Sequence, residues 1–390
     1  MKAVVWHGKE DVRVDEVPDP TIQEPTDAIV RITSTAICGS DLHLYAKLSP
    51  IMREGDIIGH EPMGIVEEVG PEMEHISAGD RVVVPFNVSC GHCFFCEQSL
   101  FSQCETTQDN GKLAQAASLL GRAKGASLFG YTHVYGAVPG GQADYLRVPQ
   151  AHFGPVKVPE GPPDERFLYL SDVLPTAWQA VEYADVPEGG TVGVWDLGPI
   201  GQMCCRIALH KGAGRVIGID SVPERLSLAA KYGVETVDFS VVDDVKDLML
   251  ELTGGRGVDS AIDAVGMEAG GSLVDSVLQT AKVQLDKSHA LWECMGSIRR
   301  GGTLSISGVY TGPIQMFPLG DLFDMQIQVR MGQANVRRWV DDIVPLLQDD
   351  SDPLGTEDLK THEMPLTDAP LGYEMFQKKQ DGAIKIVLKP

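Results

Sequence analysis

TVGVWDLGPIGQMCCRIALHKGAGRVIGID, residues 191–220, holds the pattern that decides one half of the fold. Its first segment, TVGVW (191–195), is a short apolar run typical of a buried strand, and RVIGID (215–220) is a second such run. The segment between them, PIGQMCCRIALHKG (199–212), begins with proline and ends with glycine, as helices often do. Strand, helix and strand in this order predict a βαβ unit with two parallel strands.

The same alternation continues beyond this unit. PERLSLAAKYG (223–233) is predicted to be a helix, and DSAIDAVG (259–266) and TLSISGVY (303–310) are predicted to be strands. We therefore expect an α/β region built on one doubly wound parallel sheet. Cys204 and Cys205 fall in an apolar helical stretch, where we expect them to fill the core.

The first 150 residues follow a different pattern. Short β-branched runs punctuated by glycine and proline (AVVW, AIVRIT, GIVEEVG and DRVVVPF) predict a partly closed, mostly antiparallel β domain. Four prolines within residues 151–163 indicate a domain boundary. After about residue 325 we expect a helix near 335–348 and a closing strand, AIKIVLK, which could return to the first domain.

Composition narrows the class of protein. A chain of 390 residues favours two domains. Its net charge of −23 repels phosphate backbones and anionic lipids, so we expect neither nucleic acid nor membrane partners. No apolar stretch approaches the roughly 18 residues of a membrane span, and the N-terminus lacks the pattern of a secretory signal. We expect a cytoplasmic homo-oligomer, a dimer or a tetramer.

Four of the eight cysteines form a cluster with the spacing C-x2-C-x2-C-x7-C. In a reducing compartment, clustered thiols more often bind metal than form disulfides. Four thiolates can close a tetrahedron around one Zn²⁺ and leave no position for water, so this zinc would be structural. The predicted ligands are Cys90, Cys93, Cys96 and Cys104.

Further motifs are dispersed through the first domain. CGSDLH (38–43) is followed by GHEPMG (59–64), by a glycine at position 70 and by GDRV (79–82). Together with the four-cysteine lobe and the later βαβ pattern, these segments resemble the zinc-containing medium-chain alcohol dehydrogenases. The resemblance implies a GroES-like β-rich catalytic domain (1–160), with a structural zinc lobe at 86–106. It also implies a Rossmann NAD-binding domain (161–325) and a C-terminal segment (326–390) that returns to the catalytic domain.

The resemblance also implies a catalytic zinc ion with Cys38 and His60 as ligands. The third ligand of the family is often a cysteine, but none occurs between Cys104 and Cys204. At the expected place stands Asp172, whose carboxylate is an acceptable zinc ligand. Whether Asp172 or Glu61 is the third ligand stays open, as does a purely electrostatic or structural role for Glu61.

In the resembled enzymes, a hydroxyl group two residues after a zinc ligand begins a proton path. Ser40 would accept the proton of the alcohol and pass it through the cofactor ribose to His43 at the surface. An alternative is that Ser40 caps a helix over residues 41–45. The catalytic candidates are thus Ser40, His43 and Glu61.

The dinucleotide loop departs from the family pattern G-x-G-x-x-G. It reads DLGPIG (196–201), with Asp196 in place of the first glycine. The negative charge of Asp196 near a phosphate is expected to weaken cofactor binding. Asp220 ends the next strand, where it should accept hydrogen bonds from the adenosine ribose and favour NAD over NADP. Arg225 could contact the same ribose or simply be a solvated helix residue. The predicted cofactor contacts are Gly39, Ser40, His43, Gly198, Pro199, Ile200, Gly201, Asp220, Arg225, Val265, Ser307, Val309, Gly332 and Ala334.

The long connection between Cys104 and Tyr145 and the segment SDVLPTAW (171–178) resemble the glutathione-independent formaldehyde dehydrogenase branch. The function that this implies is hydride transfer between NAD and a small alcohol or aldehyde hydrate, such as formaldehyde hydrate, at a zinc ion. One alternative is a polyol or threonine dehydrogenase of the same fold. Another, of a different class, is a catalytically silent protein that binds zinc and a dinucleotide.

Overall fold

The computed structural model describes residues 1–48, 51–108, 111–116, 125–266, 289–310 and 317–390. These residues divide into two compact units. The first contains Met1–Pro175 and Ala334–Pro390, and the second contains Thr176–Gln333. Both boundaries lie later in the chain than the predicted positions at 160 and 325.

Residues 161–175 stay with the first unit because polar contacts hold them there. Arg81 donates hydrogen bonds to the carbonyl oxygens of Pro159 and Pro162, at 2.7 and 3.0 Å. Its guanidinium also forms an ion pair with Asp164 at 2.6 Å. The same carboxylate accepts a hydrogen bond from Ser34 at 2.7 Å. The proline-rich stretch is therefore anchored to the β domain rather than acting as a linker.

The first unit is built mainly from strands. Its strands are β1 (Lys2–Gly8), β2 (Asp11–Glu16), β3 (Ala28–Ile37), β4 (Glu61–Val69), β5 (Arg81–Val83), β6 (Tyr145–Val148), β7 (Val156–Lys157), β14 (His362–Pro365) and β15 (Ile386–Lys389). Its α-helices are Gly39–Ala46, Phe94–Glu97, Lys112–Ala116, Asp164–Leu168, Val336–Gln348 and Ala369–Gln377. Short 3-10 helices cover Phe101–Gln103, His133–Tyr135, Tyr169–Ser171, Thr356–Leu359 and Leu366–Asp368.

The main sheet of this unit has the strand order β14-β15-β3-β4-β5-β7, and β6 also pairs with β3. All of these pairs are antiparallel except β14 with β15. The prediction of a mostly antiparallel β domain is therefore confirmed. The closing strand β15 lies beside β3, with Ile386 opposite Ile37, which agrees with the predicted return of the C-terminal segment.

The second unit contains one sheet in which every strand pair is parallel. Its strand order is β10-β9-β8-β11-β12-β13, the order of a dinucleotide-binding doubly wound sheet. The strands are β8 (Thr191–Trp195), β9 (Arg215–Asp220), β10 (Glu235–Asp238), β11 (Val258–Asp263), β12 (Ile298–Ile306) and β13 (Gln328–Met331).

The helices of this unit follow the strands, as the βαβ pattern predicts. They are Val173–Ala184, which begins in the first unit, Pro199–His210, Pro223–Lys231, Val245–Leu252, a segment at 289–297 and Leu319–Asp324, with a 3-10 helix at Phe239–Val241. Cys204 and Cys205 are fully buried, so their predicted core position is confirmed. Among the described residues, no helix is long and apolar enough to cross a membrane.

Two predicted strands are displaced toward the N-terminus. The run 259–266 ends as a strand at Asp263, and the run 303–310 is already a strand at Ile298 and ends at Ile306. Ser307 and Gly308 both donate their backbone N–H groups to the Asp263 carbonyl oxygen at 2.9 Å, which turns the chain out of the sheet.

Candidate active site

One cluster in the first unit brings together the predicted ligands of the catalytic zinc. Cys38 follows β3, His60 precedes β4, Glu61 begins β4, and Asp172 lies between a 3-10 helix and the helix that begins at Val173. All four residues are buried, and one ligand atom from each lies within 4.8 Å of the others. The cluster therefore forms where two neighbouring strand ends meet a helix start.

The distances within the cluster suit a metal ion. Oδ2 of Asp172 lies 3.5 Å from Sγ of Cys38 and 3.2 Å from Nε2 of His60. Burial, with the charges of Glu61 and Asp172, raises the pKa of the Cys38 thiol to about 11. A buried set of acidic groups of this kind needs a cation, and sulfur, imidazole nitrogen and carboxylate oxygen are the ligand atoms of zinc. The residues present therefore fit a zinc ion.

Asp41 holds the other nitrogen of the His60 ring. Its Oδ1 lies 2.9 Å from Nδ1 of His60, and its Oδ2 accepts the Cys38 backbone N–H at 3.0 Å. A carboxylate on Nδ1 fixes the ring orientation and leaves Nε2 for a metal ion. One side chain thus orients both Cys38 and His60, and no sequence motif marks Asp41 for this role.

Gln142 extends this arrangement by one more side chain. Its Nε2 donates to Oδ2 of Asp41 at 3.3 Å and to the Ala36 carbonyl oxygen at 3.1 Å. Its Oε1 accepts the hydroxyl proton of Tyr373 at 2.8 Å. Gly59 makes room for it, because a Cβ at this position, where φ is +94°, would lie 2.3 Å from Cγ of Gln142.

Glu61 forms an ion pair with Lys385, whose Nζ lies 2.5 Å from Oε1 of Glu61. Both side chains are fully buried. Burial lowers the pKa of this lysine, but the hydrogen bond and charge of Glu61 and the charges of Cys38 and Asp172 together outweigh burial and raise the pKa. Lys385 stands one residue before β15, so the returning C-terminal segment supplies a charge to the cluster.

Of the two residues in the predicted proton path, Ser40 lies at the cluster but His43 does not lie at the surface. Oγ of Ser40 lies 3.2 Å from Nε2 of His60, beside the ligand cluster. Ser40 is the second residue of the helix Gly39–Ala46, which Cys38 caps, so the alternative in which Ser40 caps a helix is wrong. His43 is 4% exposed, so its expected place at the surface is also wrong.

Aromatic side chains pack next to the cluster. The Phe86 ring meets the His60 ring edge-on, with centroids 6.2 Å apart. Tyr131 and Tyr135, from the long connection after Cys104, pack against each other with centroids 5.7 Å apart and contact the same apolar group as Phe86. The surroundings of His60 are therefore apolar and bulky on this side.

The four-cysteine lobe is assembled as the spacing predicted. Sγ atoms of the four cysteines lie within 4.8 Å of one another, and all but Cys93 are buried. Oγ1 of Thr106 donates to Sγ of Cys90 at 3.1 Å, and the Cys90 backbone N–H donates to Sγ of Cys104 at 3.4 Å. Such hydrogen bonds stabilise thiolates, so the lobe fits a structural zinc ion.

The dinucleotide loop lies in the second unit, between β8 and the helix Pro199–His210. Gly198 is the N-cap of this helix and Pro199 its first residue. Gly201 must be glycine, since a Cβ there would lie 1.8 Å from the Asp196 carbonyl oxygen. Asp196 itself adopts φ of +70° and supplies the tight turn that the first glycine would provide.

Asp220 and Arg225 lie close to this loop. Oδ2 of Asp220 accepts the Leu197 backbone N–H at 2.7 Å, and Oδ1 accepts the N–H groups of Ser221 and Val222. Arg225 is 4% exposed and pairs with Asp196 and Asp220, so the alternative of a solvated helix arginine is wrong.

The remaining predicted cofactor contacts are spread over both units. Val265, Ser307, Val309 and Gly332 follow the carboxyl ends of β11, β12 and β13, the edge at which open parallel sheets bind ligands. Ala334 belongs to the first unit, is buried, and accepts a hydrogen bond from Nδ2 of Asn87 at 2.8 Å. Gly39 begins the helix that also carries Ser40 and His43. Their cofactor contacts stay predictions.

Known proteins resemble this chain in both of its units. Residues 24–160 match the alcohol dehydrogenase GroES-like domain, and residues 199–284 match the zinc-binding dehydrogenase family. An uncharacterized zinc-type alcohol dehydrogenase-like protein of Bacillus subtilis is 42% identical over the full length of both chains. A glutathione-independent formaldehyde dehydrogenase of Pseudomonas aeruginosa is 36% identical, over 79% of this chain and 75% of that one.

A solved structure supports the same assignment. The alcohol dehydrogenase of Thermus sp. ATN1 has a TM-score of 0.82 and 33% identity, and the match covers 100% of this chain and 99% of that chain. The two matched domains, the two clusters of metal-ligating side chains and the full-length similarity agree with one another. The chain therefore belongs to the zinc-type alcohol dehydrogenase family, as its motifs predicted.

Proposed function

We propose that the protein is a zinc-dependent, NAD-linked dehydrogenase that oxidises formaldehyde hydrate or a short primary alcohol. The observation that carries the proposal is the buried cluster of Cys38, His60 and Asp172, whose ligand atoms lie within 4.8 Å of one another. Three protein ligands leave one position of a tetrahedral zinc ion for a substrate oxygen.

A zinc ion bound there supplies a Lewis acid that lowers the pKa of the substrate hydroxyl group. Cys38 and Asp172, both ionised, would balance its two positive charges. Asp41 keeps Nε2 of His60 directed at the same point, since it holds Nδ1. Ser40, beside His60, accepts the hydroxyl proton. NAD⁺ bound at the loop 196–201 would supply the hydride acceptor, so that alcohol and NAD⁺ would become aldehyde, NADH and a proton.

Formaldehyde hydrate fits this chemistry because it is a geminal diol. One hydroxyl group can be deprotonated like that of any alcohol, and loss of hydride then gives formic acid and NADH. The aromatic packing of Phe86 against His60 favours a compact substrate. The name of the Pseudomonas aeruginosa relative supports the same substrate without glutathione.

The experiment follows NADH absorbance in the zinc-loaded protein. Formaldehyde is offered with and without glutathione, and ethanol, sorbitol and threonine are offered separately. We expect formaldehyde to reduce NAD without glutathione, and the Cys38→Ser variant to be inactive with its structural zinc retained. Strict dependence on glutathione, or activity confined to sorbitol or threonine, would defeat the formaldehyde proposal. No turnover of any substrate would favour the catalytically silent alternative.

The homo-oligomeric state and the cytoplasmic location stay predictions. Sedimentation equilibrium of the zinc-loaded protein measures the first, and fractionation of the source cells measures the second. Neither outcome would change the chemistry proposed for the centre at Cys38 and His60, since every ligand of that centre comes from one unit of one chain.

A further inference from the structure

We propose that Asp196 sets the choice between the two nicotinamide dinucleotides by pairing with Arg225. The inference rests on the proposed function, since it takes the loop at 196–201 to bind a nicotinamide dinucleotide. It starts from the departure of this chain from the glycine pattern: a carboxylate stands where dinucleotide-binding loops carry their first glycine.

The backbone shows how aspartate replaces glycine here. Asp196 has φ of +70°, in the left-handed region that aspartate and asparagine tolerate better than most residues. Its Oδ2 accepts the Gly198 backbone N–H at 3.0 Å, so the side chain folds back over its own turn. A Cβ at Gly198 would lie 2.7 Å from this Oδ2 and 3.7 Å from Nη1 of Arg225. The carboxylate and the guanidinium therefore lie directly over the second glycine of the loop.

Arg225 is shared unequally between two carboxylates. Its Nη1 lies 2.7 Å from Oδ1 of Asp196 and 3.4 Å from Oδ2 of Asp220. The side chains of Arg225 and Asp220 are 4% and 5% exposed, while that of Asp196 is 25% exposed. Charge-assisted hydrogen bonds are stronger at the shorter distance, so of these two carboxylates Asp196 holds the arginine more strongly. The three side chains together carry one negative charge.

This pairing bears on the adenosine ribose, where NAD has a 2′-hydroxyl group and NADP has a 2′-phosphate. An arginine in this neighbourhood is the group that usually accommodates the phosphate. Here the guanidinium would have to leave Asp196 to do so, and the phosphate would approach two carboxylates. Because Asp196 also draws Arg225 away from Asp220, it leaves the Asp220 carboxylate to the ribose hydroxyl groups. Both effects favour NAD.

The test is the Asp196→Asn variant of the zinc-loaded protein, titrated with NADH and with NADPH by fluorescence. Asparagine has nearly the same shape, tolerates a positive φ and keeps the acceptor for the Gly198 N–H, but it lacks the charge. We expect the ratio of Kd for NADPH to Kd for NADH to fall about tenfold, mainly through tighter binding of NADPH. Asp196→Gly, which suits this backbone even better, should change the ratio in the same direction.

Two further variants distinguish the effect of releasing Arg225 from simple repulsion between the Asp196 carboxylate and the phosphate. In an Arg225→Met background, Asp196→Asn should lower the ratio much less, since it removes only the repulsion between the carboxylate and the phosphate and releases no guanidinium. Asp259→Asn is the matched control: Asp259 likewise accepts one backbone N–H, from Thr191, and pairs with one arginine, Arg299, but stands at the start of β11. It should not change the ratio.

The outcomes distinguish this inference from the function on which it rests. An equal change in the affinity for both cofactors in Asp196→Asn, or no change, would overturn the role of Asp196 in selectivity. The same fall in the ratio without Arg225 would overturn the pairing mechanism. If the wild-type protein bound neither NADH nor NADPH, the proposed function would fail and this inference with it.

Discussion

The Nζ atom of Lys385 lies 2.5 Å from Oε1 of Glu61, and neither side chain is accessible to solvent. Removing two charges from water costs several kcal/mol for each ion, and the pair is tolerated because each charge offsets the other. The pair joins the first residue of β4 to the residue that precedes β15, and Glu61 also lies in the cluster of candidate zinc ligands. It therefore couples the stability of the first unit to the candidate active site.

Lys385→Met should lower the free energy of unfolding by about 3–5 kcal/mol, because it leaves the Glu61 carboxylate buried without its partner. Urea unfolding of the zinc-loaded protein measures the change. Lys378→Met is the control, since Lys378 pairs with Glu374 on the surface, where solvent screens the charges, and its loss should hardly change the free energy of unfolding. Adding Glu61→Gln to Lys385→Met should recover part of the loss. A change in Lys385→Met no larger than in the control would contradict this account.

Tyr373→Phe should weaken the binding of the catalytic zinc by about tenfold while the structural zinc stays bound. The Tyr373 hydroxyl group fixes the orientation of the Gln142 amide, which in turn donates to Asp41. Competition with a chelator, followed by the release of each zinc ion, measures the effect. Tyr45→Phe is the control, because its ring packs against Tyr373 at 5.5 Å in the same core. Equal zinc affinities in the two variants would show that Gln142 needs no such anchor.

Two zinc ions per subunit are expected, and single substitutions should remove them separately. Asp172→Asn should lower the zinc content toward one, because an amide is an uncharged and poorer ligand, and Asp172→Cys should restore it. Cys96→Ser should remove the other ion and lower the free energy of unfolding, since structural zinc contributes to folding. Metal analysis after zinc-replete expression measures the zinc content of each variant. Full zinc content in Asp172→Asn would instead point to Glu61 or water as the third ligand.

The sequence predicted those parts of the molecule that depend on local pattern. The segment 191–220 became β8, a helix and β9, because buried strands and amphipathic helices are encoded by the period of their apolar residues. The cysteine lobe could also be predicted, since its four ligands lie within fifteen residues of sequence. Cys38, His60 and Asp172, which lie far apart in the chain, could be brought together only through the family resemblance.

The partners around these ligands could not be predicted because no local pattern links them. Lys385 is 324 residues from Glu61, and Tyr373 is 231 residues from Gln142. A sequence does not distinguish a buried lysine from a surface lysine. Lys385 meets Glu61 only because the C-terminal segment returns to the first unit. For Gln142 a weak signal existed: two glycines precede it, and they allow close approach of the backbone. In the sequence Asp196 only departs from the glycine pattern, whereas in the structure its carboxylate pairs with Arg225.

Glu165 offers a test of linkage between pH and stability away from both metal sites. Its Oε1 lies 2.9 Å from Nζ of Lys389 and 3.2 Å from Nζ of Lys360, and its side chain is 9% exposed. Burial opposes ionisation, but the hydrogen bond and charge of Lys389, the backbone N–H of Glu165 itself and the hydrogen bond of Lys360 together outweigh burial and lower the pKa of Glu165 to about 2. In the unfolded chain the same carboxyl group titrates near 4.5.

Because the folded pKa is the lower one, ionised Glu165 stabilises the fold fully above pH 4.5, and this contribution is lost as the pH falls toward 2. Glu165→Gln should therefore lower the free energy of unfolding by about 3 kcal/mol at pH 7, given 1.36 kcal/mol per pKa unit. The difference from wild type should shrink between pH 4.5 and pH 3. Urea unfolding of both proteins at each pH measures this difference in the free energy of unfolding, because any loss of zinc in acid affects both proteins alike.

Glu374→Gln is the control, because Glu374 lies at the surface, and it should show a small difference from wild type at every pH. A Glu165→Gln difference that stayed constant from pH 7 to pH 3 would mean that packing, and not the charge of Glu165, stabilises this corner of the first unit.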